Sequence, residues 1–301
     1  CPPEEVSGVN ESKYNFLNQS IKDLNWKQLE IDNKYYFFVP KNFKAQEKYE
    51  SGFKLDVFYK KNNSGIKSHR DNLVYDISKD ELLKRINYFT DIENSDEKII
   101  TELKVKSNRD WDLQSKRQKI IECASHEMYI KEVEYKPFSK YYCYYNVDAH
   151  DYHRIDLLKN MFSDNFLLMS SRKDESDSFR NIFITKYLGD IHSVSDQTYC
   201  FPLYIYNEKD NQQNAFENSV ERVPNLNMEI VNEIAKGLGL EFVPDHNFCH
   251  AELVSASQET LKQVQGDKPV FTPLDILDYI YAVLHSPTYR ETYKEFLKID
   301  F

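Results

Sequence analysis

Short apolar runs alternate along this chain with segments that carry helix-start signals, and this alternation constrains the fold more than any other feature. Runs in which apolar residues are consecutive or alternate with polar ones predict strands at residues 34–39, 73–77, 166–169, 182–185 and 203–206. Ser78 and Glu81 have the spacing of a capping box, in which each side chain bonds to the other residue's free backbone N–H. Apolar residues follow that box at helical spacing, which predicts a helix.

Further helices are predicted from apolar residues that recur on one face. They fall at Ile155, Leu158 and Phe162, and at Ile230, Ile234 and Leu238, the latter ending at Gly237 or Gly239.

The C-terminal segment has the clearest local pattern. Thr272 and Pro273 cap a helix with proline at its first position, where the missing N–H costs nothing. Ser286 and Pro287 end that helix and begin another. The sequence therefore predicts an α+β or mixed α/β fold, with a twisted mixed sheet, interspersed helices and a C-terminal helical hairpin.

Composition excludes several classes of protein. The chain has only seven glycines, and neither a Walker A nor a G-x-G-x-x-G loop is present, so it lacks the usual loops for nucleotide phosphates. No run approaches the roughly 18 apolar residues needed to span a bilayer, so we expect no membrane contact. The five cysteines are widely spaced and fit reduced thiols in the cytoplasm.

Net charge alone argues against a nucleic-acid partner, since the total is −10. Basic residues nevertheless cluster along the chain: Lys60, Lys61, Lys67, His69 and Arg70, then Arg109, Lys116, Arg117 and Lys119, then Arg172, Lys173 and Arg180. Each cluster could neutralise phosphates or be an ordinary solvated face. From the residues alone the prediction is a soluble α/β domain that is a candidate for DNA binding.

Chemistry for adenine methylation is missing from the chain. An amino-methyltransferase needs an N/D-P-P-Y/F/W loop to hold the flipped base, and Pro2-Pro3 between Cys1 and Glu4 offers no equivalent. No glycine-rich loop for S-adenosylmethionine is present either. We therefore expect no catalytic centre and no cofactor in this chain. Since it begins at Cys1 rather than Met, we also expect it to be a piece of a longer protein.

The densest set of metal-ligand types is Asp148, His150, Asp151 and His153. Adjacent loop residues rarely converge on one ion, so we favour a solvated turn and predict no metal site.

Glu132, Glu134 and Lys136 resemble the E-x-K half of a metal-dependent nuclease site. Alternating charge on an exposed strand accounts for them equally well. The tyrosines that follow could stack on bases, but we favour packing on the two faces of a strand for Tyr141, Tyr142, Tyr144 and Tyr145.

Several stretches, taken in order, resemble the C-terminal specificity region of type ISP restriction–modification enzymes and related adenine-specific DNA methyltransferases. Residues 64–71, Ser-Gly-Ile-Lys-Ser-His-Arg-Asp, resemble the family's G-I-x-T-x-R-D, with Ser68 where threonine is usual. Residues 135–138, Tyr-Lys-Pro-Phe, resemble its Y-R-P-F. Further matches lie at 201–204, 224–226, 272–273, 278–290 and 296–301. The resemblance extends from about Phe37 onward, except for residues 248–267.

This resemblance implies a division of labour. An upstream methyltransferase domain would bind S-adenosylmethionine, and type ISP relatives add an ATP-driven translocase and a nuclease that requires Mg²⁺. Residues 1–62 would then be a spacer and residues 63–301 the target-recognition domain, with a loop insertion at about 248–267 that resembles translated palindromic repeats.

The function implied is recognition of double-stranded DNA, with the target adenine presented to the missing domain. We predict DNA contacts at Lys67, His69, Arg70, Lys116, Arg117, Arg172, Lys173 and Arg180. A metal-dependent nuclease and a protein-interaction subunit with no DNA role remain the alternatives.

Overall fold

The computed structural model describes residues 10–24, 26, 28–29, 31, 45–171, 180–195, 197–207, 221–244 and 269–297. The chain divides into two compact units, Cys1–Gly52 and Phe53–Phe301. The described part of the first unit contains α1 (Asn10–Leu17), a 3-10 turn (Ile21–Asp23) and α2 (Gln46–Glu50).

The second unit mixes helices and strands. Its helices are α3 (Leu55–Phe58), α4 (Asp71–Val74), α5 (Lys79–Thr90), α6 (Asp96–Leu103), α7 (Leu113–Ile121), α8 (Ile155–Leu158), α9 (Met228–Leu238), α10 (Pro273–His285) and α11 (Pro287–Leu297). Its strands are β1 (Asn63–Ser64), β2 (Tyr75–Asp76), β3 (Ile130–Lys136), β4 (Ser139–Tyr144), β5 (Leu167–Ser171), β6 (Ile182–Thr185), β7 (Leu188–Gly189), β8 (Thr198–Pro202), β9 (Tyr204–Asn207), β10 (Glu221–Pro224), β11 (Glu241–Phe242) and β12 (Val270–Phe271).

Two four-stranded sheets form the centre of this unit. The first is antiparallel, in the order β1-β8-β5-β6. The second is mixed, in the order β2-β4-β3-β7, because β7 runs parallel to β3. An antiparallel pair, β9 with β10, and a parallel pair, β11 with β12, complete the described strands. The predicted mixed α and β fold is confirmed.

The main core brings the two sheets together and is covered by α5 and α7. Gly189 on β7 shows how closely the sheets approach, because a Cβ there would lie 2.7 Å from the Sγ of Cys200 on β8. The apolar face of α5 buries Leu82, Ile86 and Phe89 against this core, as the helical spacing predicts.

Capping residues fix several helix ends. Thr272 and Asp275 form the capping box at the start of α10, and Gly239 ends α9 with a φ of 66°, so both predictions are confirmed. The capping box predicted at the start of α5 is only half correct, because one of its two hydrogen bonds is formed. Ser78 accepts from the N–H of Glu81, but its own N–H donates to Asp76 Oδ1, at 2.9 Å.

Two other predictions are wrong, because the chain forms short turns where a longer strand and a longer helix were predicted. Residues 73–77 do not form one strand, because the N–H groups of Leu73 and Val74 donate back to the carbonyl of Arg70 and close the short helix α4. The helix expected from Ile155 to Phe162 is one α turn followed by a 3-10 turn. The strand at 34–39 and the insertion at 248–267 lie outside the described residues.

The C-terminal hairpin is confirmed. α10 packs on the first sheet at β6, where the Nε2 of His285 lies 3.1 Å from the carbonyl oxygen of Ile182. Of the helices described, none has the length and apolar character to cross a bilayer.

Candidate nucleic-acid interface

Residues 64–71 form a loop, called here the 64–71 loop, that joins the two sheets. Ser64 lies in β1 of the first sheet, whereas Ile66 forms a bridge with Asp190, directly after β7 of the second. Gly65 passes so close to Asp190 that a Cβ would lie 2.4 Å from the carbonyl carbon of that residue. Only glycine fits at this crossing, which fixes where the loop begins.

A cleft of about 290 Å³ opens beside this loop, and we call it the loop cleft. It is lined by the 64–71 loop and α4, by the end of α6, and by the turn after β7. Its lining residues are Lys67, Ser68, His69, Arg70, Asp71, Asn72, Leu73, Leu103, Lys104, Val105, Asp190, Ile191 and His192.

Arg70 anchors the loop from within. Its side chain is 1% exposed and its Nη2 forms an ion pair with the fully buried carboxylate of Asp151. Nη1 donates to the carbonyl oxygens of Ser68 and Ala149, and the guanidinium carbon lies 3.9 Å from the centroid of a Trp111 ring. A guanidinium held in this way is not available to a phosphate, so the prediction of direct DNA contact by Arg70 conflicts with its burial.

His69 lies on the exposed side of the same carboxylate. Its backbone has a left-handed φ of 56°, and its Nδ1 bonds to Asp151. Asn108 also donates to Asp151, at 2.8 Å. Burial raises the pKa of Asp151, but the bonds from Arg70, His69 and Asn108 outweigh it and hold the pKa below its ordinary value.

The ring of His69 is oriented by this contact. Because an ionised carboxylate only accepts, Nδ1 carries a proton. Nε2 has no hydrogen-bond partner among the described residues, and His69 lines the loop cleft. The ring is therefore positioned to contact a ligand there through Nε2.

Asp71 connects the loop to β3. It accepts from the Ser68 hydroxyl and from the Tyr135 hydroxyl, the latter at 2.7 Å. Ser68 Oγ in turn accepts from the backbone N–H of Arg70, at 3.0 Å. Residues 68–71 thus form a local hydrogen-bond network. Within it, the hydroxyl group of Ser68 and the carboxylate of Asp71 have partners in the protein itself.

Asp190 is the buried acid of the loop cleft. It is 1% exposed and accepts from the Tyr75 hydroxyl and from the backbone N–H of His192, at 2.7 and 2.8 Å. Burial raises the pKa of Asp190 to about 6, although both hydrogen bonds oppose the shift. This acid therefore stays mostly ionised at neutral pH and takes up a proton as the pH falls through about 6.

The rim of the loop cleft carries cationic side chains. Lys67 is half-buried, with its Nζ 5.9 Å from the Tyr152 ring centroid, and exposed Lys104 follows α6 with a left-handed φ of 54°. Among the described residues neither lysine forms an ion pair. Lys136 also lies beside the cleft, because its Nζ donates to the carbonyl oxygen of the lining residue His192 at 3.1 Å.

Lys116 and Arg117 lie on α7, and both form contacts within the protein. Lys116 forms an ion pair with Asp148 at 2.7 Å and is partly exposed. Arg117 is 7% exposed, and its guanidinium donates to the carbonyl oxygens of Phe89, Asp91 and Asn94 and to the carboxylate of Asp96. The burial of Arg117 and these hydrogen bonds conflict with the prediction that it contacts DNA.

The third basic cluster is described only in part. Arg172 and Lys173 lie outside the described residues. Arg180 is exposed and lies two residues before β6, and it is not among the residues that line the loop cleft. Of the eight predicted DNA contacts, the cleft brings together Lys67, His69 and Arg70.

The residues considered as metal ligands have other partners. His150 is 4% exposed, its Nε2 donates to the Tyr144 carbonyl oxygen at 2.9 Å, and burial lowers its pKa to about 3. Asp148 pairs with Lys116, and His153 bonds to the backbone. Among the described residues no three metal-ligating side chains converge. The expected solvated turn is nevertheless wrong, since His150 is packed in the interior.

The acids of the E-x-K pattern also diverge. Glu132 pairs with Lys140 across the strands. Glu134 is buried and accepts from Thr185 Oγ1, at 3.0 Å, so the strand is not simply an exposed charged one. Lys136 points to the turn at His192. These three side chains do not face a common point.

The tyrosines of β4, and Tyr145 directly after it, pack within the protein, as predicted. Tyr144 and Tyr145 are buried, whereas Tyr141 and Tyr142 are partly buried and pack against the core.

Two residues of the loop cleft, Lys104 and His192, were not predicted from the sequence. They are distant in the chain from Lys67, and no local pattern links the three.

Comparisons with known proteins place this arrangement in context. Residues 56–301 match the family described as the Type ISP C-terminal specificity domain. No curated protein sequence matches the chain.

Solved structures of three larger proteins share the fold. A cryoEM structure of a DrdV–DNA complex is 18% identical, with a TM-score of 0.64 over 97% of this chain and 27% of that one. A nuclease-deletion mutant of the Type ISP restriction–modification enzyme LlaGI, in complex with a DNA substrate mimic, is 18% identical, with a TM-score of 0.57 over 97% and 24%. The ATP-dependent Type ISP restriction–modification enzyme LlaBIII bound to DNA is 23% identical, with a TM-score of 0.54 over 82% and 14%.

At these identities the structural likeness concerns the fold, and this chain spans about a quarter or less of each of the three proteins. The family match is the stronger finding, because it extends over most of the sequence, from residue 56 to residue 301. The chain therefore belongs to the family of type ISP C-terminal specificity domains.

Proposed function

We propose that this chain recognises a short site on double-stranded DNA and presents the target adenine to a methyltransferase domain of the same restriction–modification protein. Membership of the specificity-domain family is the observation that carries this proposal. The cationic rim of the loop cleft supports it, because phosphate contacts set the position of a protein on duplex DNA.

Within the loop cleft, the roles divide between contact and positioning. Lys67, Lys104 and His69 would approach the phosphates, since all three line the cleft and neither lysine forms an ion pair within the described part of the chain. Arg70 would act through Asp151, which holds the His69 ring. Arg70 is therefore a positioning residue in this proposal.

The predicted contacts outside the loop cleft stay proposals. They are Lys116, Arg117, Arg172, Lys173 and Arg180. The assignment of residues 1–62 as a spacer is also a proposal, and so is the loop insertion at 248–267. The larger compact unit begins at Phe53 and the family match at residue 56.

Cofactor chemistry would belong to the parent protein. ATP fits a family that includes an ATP-dependent type ISP enzyme, and we propose that S-adenosylmethionine and Mg²⁺ are likewise used by parts of the parent outside this chain. The part played by this chain would be to hold the duplex while the other domain flips and methylates the base.

Salt-dependent binding tests the proposal. The full chain is titrated with a pool of random-sequence duplexes from ~50 to ~200 mM salt, and log K should fall linearly with log salt. Replacing Lys67 and Lys104 together by Gln should reduce the slope by about 0.9 for each phosphate that the variant no longer neutralises. Lys84→Gln is the matched control, since Lys84 is exposed and forms an ion pair with Glu81 on α5.

Two results would count against the proposal. One is the absence of duplex binding by the wild-type chain even at the lowest salt. The other is a salt slope that the Lys67 and Lys104 substitutions leave unchanged. Sequencing the duplexes retained by the wild-type chain would also give the preferred site.

A further inference from the structure

The β3–β4 hairpin ends in an aromatic side chain that the fold does not bury. Phe138 is 88% exposed, which makes it the most exposed large apolar residue in the described part of the chain. Its ring touches one other ring, that of Phe183 on β6, edge to face at a centroid distance of 5.3 Å. Packing therefore does not explain a phenylalanine at this position.

The backbone at Phe138 is also unfavourable for a side chain. Its φ is 59°, in the left-handed region that glycine adopts readily and that a bulky residue rarely occupies. With Pro137 it forms the two-residue turn between Lys136 and Ser139, which face each other in the register of the hairpin. Glycine is the usual residue where such a turn requires a positive φ. The chain therefore has a ring at a position whose backbone conformation suits glycine better.

Two contacts fix the hairpin tip beside the loop cleft. The Tyr135 hydroxyl donates to Asp71, which lines the cleft, at 2.7 Å. Lys136 Nζ donates to the carbonyl oxygen of His192, another lining residue, at 3.1 Å. The tip and the cationic rim consequently belong to one face of the molecule.

The surroundings of Phe138 favour nucleic acid as its partner. Lys136, whose Nζ donates to the carbonyl oxygen of His192, precedes the turn, and Lys140, which pairs with Glu132, follows it. Proteins that unstack a duplex insert an apolar side chain at a base step, with cations on the phosphates beside it. Lys67 and Lys104 on the same face form no ion pair within the described residues, which favours an anionic partner over an apolar protein surface.

We propose that Phe138 stacks on a DNA base at a step that it opens, next to the phosphates held at the loop cleft. The inference rests on the proposed function and adds a residue and a mode of contact to it. The strained turn presents the ring, and the Tyr135 and Lys136 contacts hold the hairpin while the base step opens.

The test compares the wild-type chain with Phe138→Gly, Phe138→Trp and Met128→Ala. Glycine suits the positive φ, so Phe138→Gly should fold with an unchanged or higher melting temperature. Met128 is the matched control, because it is 62% exposed and lies at the opposite end of β3, about 20 Å away at 3.3 Å per residue. Each protein is titrated with the pool of random-sequence duplexes, and thymine unstacking is read by permanganate reactivity.

We expect Phe138→Gly to bind about 5- to 100-fold more weakly and to lose the permanganate-reactive thymines that the wild-type chain induces. Phe138→Trp should retain both properties, and Met128→Ala should behave as wild type. Equal affinity and equal thymine reactivity for wild type and Phe138→Gly would overturn the inference while leaving the proposed function intact. A lower melting temperature of Phe138→Gly with unchanged binding would assign the ring a structural role instead. Failure of the wild-type chain to bind any duplex would overturn both.

Discussion

Replacement of Arg70 by Met separates an architectural arginine from a DNA-contacting one. The side chains of Arg70 and Asp151 are 1% and 0% exposed, so the substitution leaves a buried carboxylate without its cation. Removing one partner of a buried ion pair costs about 3–5 kcal/mol. Asp151 keeps its bonds from His69 and Asn108, which favours the lower end of that range.

The stacked Trp111 adds to the loss. The guanidinium carbon lies 3.9 Å from the ring centroid, and a desolvated contact of this kind is worth about 1–2 kcal/mol. Methionine replaces part of that packing but not the charge. We therefore expect Arg70→Met to lower the free energy of unfolding by about 3–4 kcal/mol.

Urea unfolding, followed by Trp111 fluorescence and by circular dichroism, measures this change. The double variant Arg70→Met with Asp151→Asn should recover part of the stability, because it removes the uncompensated charge. Lys84→Met is the control, and its exposed ion pair with Glu81 should contribute less than about 1 kcal/mol. If Arg70→Met unfolds at the wild-type urea midpoint but loses duplex binding, Arg70 is a DNA contact and the architectural assignment is wrong.

Two further predictions concern the fold around the site, and two concern helices elsewhere in the chain. Gly65→Ala should destabilise the chain by about 1–3 kcal/mol or more in urea unfolding, because its Cβ would meet the Asp190 backbone at 2.4 Å. Gly237→Ala within α9 meets nothing within 4 Å and should instead stabilise by up to about 1 kcal/mol. Since folding raises the pKa of Asp190 from 3.8 to about 6, wild-type stability should lose about 2–3 kcal/mol as pH rises through that window, and a pH series of urea unfolding should show this loss removed in Asp190→Asn. Thr272→Ala should lower the melting temperature by removing a cap worth about 1 kcal/mol, whereas Thr272→Ser should not.

Local chemistry made several elements predictable from the sequence. The strand predicted at 182–185 coincides with β6, and the strands predicted at 166–169 and 203–206 overlap β5 and β9. The C-terminal helices were predictable because proline, threonine and serine mark their boundaries directly. Such signals act over a few residues, so tertiary context did not override them.

Helices α6 and α7 were not predicted, although the sequence contains their N-cap residues. Ser95 begins α6 and Asp112 begins α7, each accepting from a backbone N–H three residues later. α7 carries basic and amide residues between its apolar ones, and its buried Arg117 interrupts the apolar face that a periodicity argument needs. The cap alone did not establish a helix there.

The roles of the basic residues could not be deduced from their clustering. Arg70 and Lys67 are three residues apart, yet one is buried in an ion pair with a residue 81 positions away and the other lies on the cleft rim. Sequence proximity indicates where charge is concentrated along the chain. Only the long-range pairing decides which cations remain for a ligand.

The same pairing reconciles an acidic chain with a DNA partner. Three acids at or beside the loop cleft have partners in the protein: Asp71 accepts from two hydroxyl groups, Asp151 from Arg70, His69 and Asn108, and Asp190 from Tyr75 and the backbone N–H of His192. Charges interact strongly only within a Debye length of about 8–10 Å, so the charged groups that line the cleft, and not the total of −10, set the potential that a nearby phosphate experiences. The excess acids elsewhere on the chain would repel DNA. A cationic rim on an acidic chain would therefore favour one orientation of the duplex over non-specific adhesion, as the proposed function requires.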